Sequence, residues 1–371
     1  MRFALAIAMA TLTVGLVSGP IFSQPPGDTT GFESIHMLDA LTGWAVAKDL
    51  SSGMFKLLRT TDGGIRWQDV TLPSSSGRKI RVLRMSVLSS DAAWVWLYGI
   101  VETTAEIFRT VDGGRTWKSI TVPTAGGILI SFINPREGWV LASFGGAMGR
   151  YPIEIYRSTD GGEMWTKIAA WESSVTGNMT FLDSTTGWIT SYDPRGPSSQ
   201  VGLYVTHDGG RTWRWRNLPL PSGLTPFWIP RPRAPQFFTA RDGIFPVFFA
   251  LLSDASRQDV VKILAVVYTT HDGGTTWTPS KPISVALSGY PYSFADAEYG
   301  WVSDGTALHV TRDGGRNWTR LKPTGPFADV QHLEFVSSQV GWALRRTSPY
   351  LLKTLDGGRT WAPVAFIISR P

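Results

Sequence analysis

The sequence contains no cysteine, and this absence excludes several kinds of site at once. Disulfide bonds, thiol nucleophiles, cysteine-ligated metals and an N-terminal lipidated cysteine all need a residue that the chain lacks. Histidine is also rare, with five residues among 371, and no HExxH pattern or acidic calcium loop occurs. We therefore expect no metal and no cofactor, and a fold that is held together by burial of apolar side chains.

Long runs of one residue class are scarce. The net charge is +6 and the isoelectric point about 9.5, but no block of like charges occurs, so we expect no nucleic-acid partner. The one conspicuous apolar run is MRFALAIAMATLTVGLVSG at the N-terminus, which has a single early arginine. We interpret residues 1–23 as a signal peptide and residues 24–31 as a short linker, and expect export to the periplasm or the cell exterior. An uncleaved membrane anchor is the alternative.

Tryptophan is abundant, with 17 residues, and its positions reveal an internal repeat. The phrase D-G-G-x-x-W occurs seven times, and Ser or Thr stands two positions before each aspartate. The aspartates and tryptophans of these seven segments, here called the D-G-G turns, are Asp62 and Trp67, Asp112 and Trp117, Asp160 and Trp165, Asp208 and Trp213, Asp272 and Trp277, Asp313 and Trp318, and Asp356 and Trp361. We predict a structural role for all of them, because seven copies of one turn indicate a scaffold.

A second phrase, in which an apolar strand and a polar turn lead to Gly-Trp, precedes most of the D-G-G turns. Its tryptophans are Trp44, Trp139, Trp188, Trp301 and Trp342, with a degenerate copy at Trp94. Both phrases predict hairpins, because aspartate accepts hydrogen bonds within its own turn and glycine adopts positive φ at little cost. Each repeat thus predicts a four-stranded sheet, which can bury its faces only against neighbouring sheets.

The two phrases resemble known families. S/T-x-D-G-G-x-T-W resembles the Asp-box, or BNR, repeat of sialidases, and the paired F-x-x-x-x-x-G-W-A-V phrase resembles the photosystem II stability/assembly factor family and its non-photosynthetic relatives. The resemblance covers Phe32 to about Phe366 and implies an all-β, seven-bladed β-propeller with four antiparallel strands per blade and a D-G-G turn between strands 3 and 4. We predict one domain at residues 32–368, with blades at roughly 32–75, 80–124, 128–172, 178–220, 235–282, 290–325 and 330–368.

Strand alternation gives this fold two different ends. The strand 1–2 turns and the D-G-G turns share one end, the D-G-G face, whereas the 2–3 loops and the 4–1 crossings share the other, the loop face. The loop face varies more between repeats and is the expected working surface. Its longest crossing, Arg216–Pro235, is rich in proline and is predicted to be extended and stiff.

Basic residues are spread over the loop face and suit an acidic or carboxylate-bearing partner. The candidate binding residues are Arg78, Lys79, Arg150, Arg195, Trp228, Arg231, Arg233, Arg345, Arg346 and Tyr350.

Three functions remain open from the sequence. The resemblance implies a non-catalytic scaffold, since its family helps to assemble a membrane complex outside the cytoplasm; we expect a monomer that binds an acidic protein partner, such as an envelope or membrane complex. A sialidase-like glycoside hydrolase is the alternative, with Glu102, Glu154, Asp193 and Asp254 as candidate carboxylates, but nothing in the sequence selects two of them. A glycan-binding propeller that uses Trp228 and Tyr350 is the third. We predict no catalytic residue.

Overall fold

A computed structural model describes residues 30–72, 82–98, 104–124, 127–144, 151–173, 177–190, 201–221, 223–224, 228–253, 259–286, 291–346 and 351–369. These residues form seven sheets, and the predicted all-β, seven-bladed propeller is confirmed. The predicted signal peptide lies outside the described residues. No helix within the described ranges is long and apolar enough to span a membrane.

The blades follow one another along the chain. Blade 1 contains β1 (Thr30–Met37), β2 (Gly43–Asp49), β3 (Phe55–Thr60) and β4 (Arg66–Asp69). Blade 2 contains β5 (Val82–Val87), β6 (Ala93–Tyr98), β7 (Thr104–Thr110) and β8 (Lys118–Pro123). Blade 3 contains β9 (Gly127–Phe132), β10 (Gly138–Ser143), β11 (Tyr151–Ser158) and β12 (Thr166–Ser173). Blade 4 contains β13 (Met179–Phe181), β14 (Gly187–Thr190), β15 (Gly202–Thr206) and β16 (Arg214–Asn217).

The remaining strands form three more blades and a closing strand. Blade 5 contains β17 (Trp228–Pro232), β18 (Gln236–Phe237), β19 (Gly243–Leu252), β20 (Val260–Thr270), β21 (Thr278–Pro279) and β22 (Ile283–Val285). Blade 6 contains β23 (Tyr292–Phe294), β24 (Tyr299–Ser303), β25 (Leu308–Arg312) and β26 (Thr319–Leu321). Blade 7 contains β27 (Val330–Phe335), β28 (Gly341–Arg345), β29 (Leu351–Thr354) and β30 (Ala362–Val364), and β31 (Ile367–Ser369) follows.

In six of the blades the four strands pair in chain order, and all of these pairs are antiparallel. In blade 5, β17 and β18 both pair with β19, and β21 and β22 both pair with β20, again antiparallel. The first strands of neighbouring blades contact one another, for example β9 with β13 and β23 with β27, so they form the inner ring of the propeller. The fourth strands lie at the outer rim. In β16 all four side chains are exposed to solvent.

The tryptophans of the Gly-Trp phrase hold neighbouring blades together. Trp139 of blade 3 is fully buried and stacks on Phe181 of blade 4, with ring centroids 3.8 Å apart. Its indole Nε1 donates a hydrogen bond of 2.9 Å to the carbonyl of Gly209, in the D-G-G turn of blade 4. Equivalent stacked pairs are Trp94 with Phe132 and Trp301 with Phe335. Each stacked aromatic pair stabilises its interface by about 0.5–1.5 kcal/mol beyond the area it buries.

The ring closes where blade 7 meets blade 1. The last strand, β31, does not belong to blade 7 as predicted but pairs in parallel with β4, so blade 1 is a five-stranded sheet. The Ile367 N–H donates to the Ile65 carbonyl at 2.9 Å, and the preceding Phe366 packs edge-on against Phe32. The chain end therefore fastens the first blade to the last.

Candidate functional site

The D-G-G turns are rigid, and blade 2 shows their geometry. The Thr110 hydroxyl donates to Asp112 at 2.8 Å and accepts the Gly114 N–H at 2.9 Å. Asp112 also accepts the Thr116 hydroxyl and N–H, and these bonds lower the pKa of its carboxyl to about 2. The side-chain–backbone bond to the second glycine recurs in all seven blades. Both glycines of every turn have positive φ, which only glycine adopts without strain.

The D-G-G turns and the strand 1–2 turns lie together, as strand alternation requires. In every blade the first glycine of the D-G-G turn donates its N–H to a carbonyl in the 1–2 turn of the same blade. These bonds run from Gly63 to Leu41, Gly113 to Asp91, Gly161 to Arg136, Gly209 to Thr185, Gly273 to Arg241, Gly314 to Glu298 and Gly357 to Gln339. The aspartates of the turns are therefore fixed in scaffold contacts.

Half of the predicted binding residues lie outside the described residues: Arg78, Lys79, Arg150, Arg195 and Tyr350. Their assignment to a binding surface stays a prediction. The other five are placed by the structure, and it changes the interpretation of three of them.

Trp228 is not available as a stacking platform. Its side chain is only 7% exposed and packs with Trp188, Leu203 and Phe249 in the core between blades 4 and 5. This burial could not be predicted, because Trp228 falls outside both repeated phrases. The glycan-stacking interpretation of Trp228 is therefore wrong.

Arg231 and Arg233 do not lie on a loop-face crossing. Arg231 lies within β17, opposite Phe248 of β19, so it belongs to the inner ring of strands. Arg233 follows directly, and its guanidinium lies 5.5 Å from the centre of the Phe248 ring. Proline-rich sequence forms a strand here because Pro230 and Pro232 are two residues apart on an edge strand, where a missing N–H costs no ladder bond.

Arg345 and Arg346 lie at the end of β28, at the loop face. The Arg345 Nε donates to the Ala328 carbonyl at 2.9 Å, and the Arg346 N–H donates to the Asp329 carbonyl at 2.9 Å. Asp329 has φ of 54°, the one positive value for a non-glycine residue in the described ranges. The two arginines are thus anchored to the crossing that enters blade 7, while Arg346 stays exposed.

The inner ring contains a polar set that our sequence interpretation missed. In blade 5, Ile244 replaces the tryptophan of the Gly-Trp phrase. One polar residue per blade lies opposite that tryptophan, or opposite Ile244 in blade 5: His36, Ser86, Ser131, Thr180, Gln236, Ser293 and Glu334. Several of them bond to the next blade: the Ser293 hydroxyl accepts the Phe335 N–H at 2.8 Å, and the Ser131 hydroxyl accepts the Phe181 N–H at 3.2 Å. The sequence contains a pattern that could have predicted this set, because in each blade the polar residue directly precedes the apolar residue that ends the first part of the Gly-Trp phrase.

At the closure this set includes a charged cluster. The carboxylate of Glu334 lies 3.3 Å from His36 Nδ1 and 3.4 Å from His332 Nε2. Burial alone would raise the pKa of Glu334, but its contacts with the two histidines outweigh burial and lower the pKa to about 2. Burial would likewise lower the pKa of His36, but the hydrogen bond and charge of Glu334 raise it.

Tyr292 lies beside this charged cluster, where it is influenced by the charges of Arg233 and Glu334. Burial raises the pKa of the Tyr292 hydroxyl to about 12, Arg233 opposes that shift, and Glu334 adds to it. The phenol is therefore neutral at ordinary pH. The Tyr292 ring packs against the Phe248 ring, with centroids 5.7 Å apart. The Arg233 guanidinium lies over the same Phe248 ring.

Two glutamates, Glu334 and Glu154, are held in contacts that lower the pKa of their carboxyl groups. Glu334 is held ionised between two histidines, so it cannot supply a proton near neutral pH. Glu154 accepts hydrogen bonds from Lys167 and Tyr156, and the Lys167 bond is the main cause that lowers its pKa. The other predicted candidates, Glu102, Asp193 and Asp254, lie outside the described residues. In the part of the chain that is described, no three His, Asp or Glu side chains are grouped to hold a metal ion.

Comparison with known proteins supports the fold assignment. No family model matches the sequence, and no curated protein matches it. Among solved structures, YCF48 bound to a D1 peptide is similar, with a TM-score of 0.53 and 17% identity over 90% of this chain and 92% of that chain. A GH93 alpha-L-arabinofuranosidase of Fusarium graminearum gives a TM-score of 0.45 at 13% identity, covering 76% of this chain and 92% of that one.

A sialidase is also among the similar structures. NanB from Streptococcus pneumoniae gives a TM-score of 0.34 at 13% identity, over 76% of this chain and 60% of that chain. The resemblance to the photosystem II assembly factor family is thus confirmed as a likeness of fold. At 17% identity this likeness concerns the fold alone. The TM-scores of the two glycosidases are below 0.5, so they indicate neither a shared fold in detail nor a shared activity.

Proposed function

We propose that this protein is a non-catalytic propeller that acts as a binding or assembly scaffold for a protein partner. One observation carries the proposal: the chain shares its fold, over nine tenths of its length, with a propeller that was solved with a bound peptide. The contacts of Glu334 and Glu154, which keep both carboxylates ionised, are consistent with binding rather than acid catalysis at these two residues.

The working surface in this proposal is the loop face. Arg345 and Arg346 lie there, at the end of β28, and the Arg346 side chain is exposed. Exposed arginines in a fixed geometry recognise carboxylates through paired N–H donors. We therefore propose a partner with acidic character, such as a component of an envelope or membrane complex.

The place of action is part of the same proposal. The apolar N-terminal run of residues 1–23, with its single early arginine, supports export as a signal peptide. We propose that the mature chain works as a monomer outside the cytoplasm, without cofactor or nucleic acid.

The test uses the mature chain as bait in the native envelope fraction, at low and then at moderate salt. We expect one specific protein to be captured at low salt and released as salt rises, because exposed charge contacts are screened. The loop-face variant, Arg345→Glu with Arg346→Glu, should lose most of this capture. The control variant, Arg115→Glu with Arg136→Glu, carries the same charge change on the D-G-G face and should keep it.

Two results would contradict the proposal. Equal capture by both variants would show that the loop face is not the contact surface. Absence of any captured protein, together with turnover of a fluorogenic glycoside, would favour the glycosidase alternative.

A further inference from the structure

The outer strand of blade 4 departs from the repeat at two positions. The third residue after each D-G-G tryptophan is Val70, Ile120, Ile168, Arg216, Ser280, Leu321 or Val364. The residue directly after each tryptophan is Gln68, Lys118, Thr166, Arg214, Thr278, Thr319 or Ala362. Only blade 4 has arginine at either position, and it has arginine at both. The two arginines on the outer strand are therefore specific to blade 4.

In blades 1 and 3 the third residue after the tryptophan lies against the next blade. Val70 lies against Gly114 of blade 2, and Ile168 lies against Gly210 of blade 4. Each contact thus places a side chain on the second glycine of the next D-G-G turn. In blade 4 the corresponding residue, Arg216, instead reaches across the gap, and its Nη1 donates to the Thr275 carbonyl at 2.9 Å.

A second contact is also missing between blades 4 and 5. In blades 2, 3, 6 and 7 the Gly-Trp indole donates to the carbonyl of the first glycine in the next D-G-G turn. Trp188 of blade 4 is equally buried, but its Nε1 finds no hydrogen-bond partner among the described residues. Among the described residues, the interface between blades 4 and 5 is the one that lacks both of these contacts.

The result is a cleft at the outer rim between these two blades. It has two compartments, of about 320 Å³ and about 290 Å³, which share Val205 and Arg216 as lining residues. The larger compartment is lined by Val205, His207, Asp208, Thr212, Arg214 and Arg216. The smaller one continues along blade 5 to Trp277.

The charges in the cleft are unbalanced. Asp208 is its one carboxylate among the lining residues, and both of its oxygens are used within the D-G-G turn, by Thr206, Arg211 and Thr212. No carboxylate within the described ranges lies at ion-pair distance from Arg214, and the described contacts give His207 no partner. Within the described residues, the Arg216 guanidinium bonds only to the Thr275 carbonyl. Two guanidinium groups and an imidazole thus face one cleft, and guanidinium groups in such a place are suited to carboxylates.

The rim beside the cleft also offers an open strand edge. In the described residues β16 pairs only with β15, and all four of its side chains are exposed. On the side away from the cleft, Trp215 packs edge-on against Tyr204 and donates to Asn217 at 2.7 Å, which fixes the strand. The molecule itself shows that such an edge accepts an extended chain, because β31 adds to β4 at the outer rim of blade 1.

We propose that the cleft between blades 4 and 5, here called the rim cleft, binds an extended acidic segment of the partner protein. Its carboxylates pair with Arg214 and Arg216, and its backbone runs beside β16. This site is separate from the loop face, and it relies on the proposed function only in that the occupant belongs to a protein.

The test is a titration of fluorescently labelled hexaglutamate against the mature chain at low salt, followed by fluorescence anisotropy. The cleft variant, Arg214→Gln with Arg216→Gln, should weaken binding at least about tenfold, because it removes two charge-assisted contacts. The control variant, Arg115→Gln with Arg136→Gln, loses the same charge from exposed positions on the D-G-G face and should stay within about twofold of the wild type. Hexaglutamine should not bind.

Equal weakening in both variants would show attraction by net charge alone and would overturn the rim cleft. So would unchanged binding in the cleft variant. Matching melting temperatures for the two variants establish that each is folded.

The envelope capture experiment separates this proposal from the proposed function. Selective loss of hexaglutamate in the cleft variant, without any captured protein, would retain the rim cleft and reject the scaffold. If a protein is captured but hexaglutamate binds the cleft variant as tightly as the wild type, the scaffold is retained and the rim cleft is rejected.

Discussion

Two interfaces of the propeller, between blades 7 and 1 and between blades 4 and 5, have opposite character. At the closure between blades 7 and 1 the Trp342 indole donates to the Gly63 carbonyl at 3.2 Å, and Lys353 lies 4.7 Å above the Trp342 ring. The added strand β31 and the pair of His36 with Glu334 lie at the same junction. The closure therefore has more kinds of contact than an ordinary repeat supplies.

The interface between blades 4 and 5 has fewer kinds of contact than the closure. Trp188 is as deeply buried as Trp342 but makes no hydrogen bond in the described structure. Arg216 stands where five of the other blades have an apolar side chain and blade 5 has Ser280. An aromatic core around Trp188, Phe245 and Trp277 still holds the two blades together.

The difference shows where a closed repeat fold can vary. The closure joins the two ends of the chain, so its contacts are the ones that prevent the ring from opening. Every other interface is reinforced by chain connectivity and by interfaces on both sides, and one of them can exchange packing for a polar cleft.

The largest expected effect on the free energy of unfolding comes from exchanging arginine and isoleucine at the third position after the D-G-G tryptophan. Ile168→Arg, which puts a charge into the sealed gap against Gly210, should lower the free energy of unfolding by about 1–3 kcal/mol. Arg216→Ile, which restores the repeat residue in blade 4, should change it by less than about 0.5 kcal/mol, because Arg216 is exposed. Urea denaturation followed by circular dichroism measures both. Equal losses would show that Arg216 is itself a structural contact.

A smaller effect isolates the indole hydrogen bond. Trp342→Phe and Trp188→Phe remove the same atoms from equally buried positions, but only the first breaks a hydrogen bond. We expect Trp342→Phe to cost about 1 kcal/mol more in the free energy of unfolding than Trp188→Phe. Chemical denaturation of the two variants tests this, and an equal cost would mean that the bond to Gly63 contributes nothing net.

Much of the fold could be predicted from the sequence because the repeat specifies it locally. The Ser or Thr, the aspartate and the two glycines of each D-G-G turn form a complete hydrogen-bonded unit, so each copy identifies one hairpin wherever it occurs. The seven blades and the order of their strands follow from that count. The addition of β31 to β4 could not be predicted, because it depends on where a closed ring brings the chain end.

The candidate site was much less predictable, for two physical reasons. Trp228 and Arg231 lie outside the repeated phrases, so no copy in another blade indicated whether they point into the core or toward solvent. The cluster of Glu334 with His36 and His332 joins residues that are distant in the sequence and meet only when the ring closes. By contrast, Arg214 and Arg216 could have been found by aligning the seven outer strands.

The smallest expected effect concerns the pH dependence of the closure. The pKa of Glu334 falls from an ordinary value of 4.5 to about 2, so its contribution to stability is present above the ordinary value and is lost as pH falls toward 2. The pKa of His36 is raised above 6.5, so its contribution is present below pH 6.5 and is lost as pH rises through the raised value. The pair should therefore stabilise the closure most between about pH 4.5 and 6.5.

Glu334→Gln tests this prediction by removing the charge while keeping the shape of the side chain. The difference in free energy of unfolding from the wild type should stay below about 1 kcal/mol, because the His36 side chain is 44% exposed and solvent screens the pair. It should be largest near pH 5.5 and shrink at both pH 8 and pH 3. The matched substitution Glu163→Gln alters an ion pair of Glu163 with Arg109 and Lys118 that contains no histidine, so its effect should not decline between pH 5.5 and 8. A Glu334→Gln difference that is constant from pH 5.5 to 8 would show that His36 does not titrate against Glu334 in the folded protein.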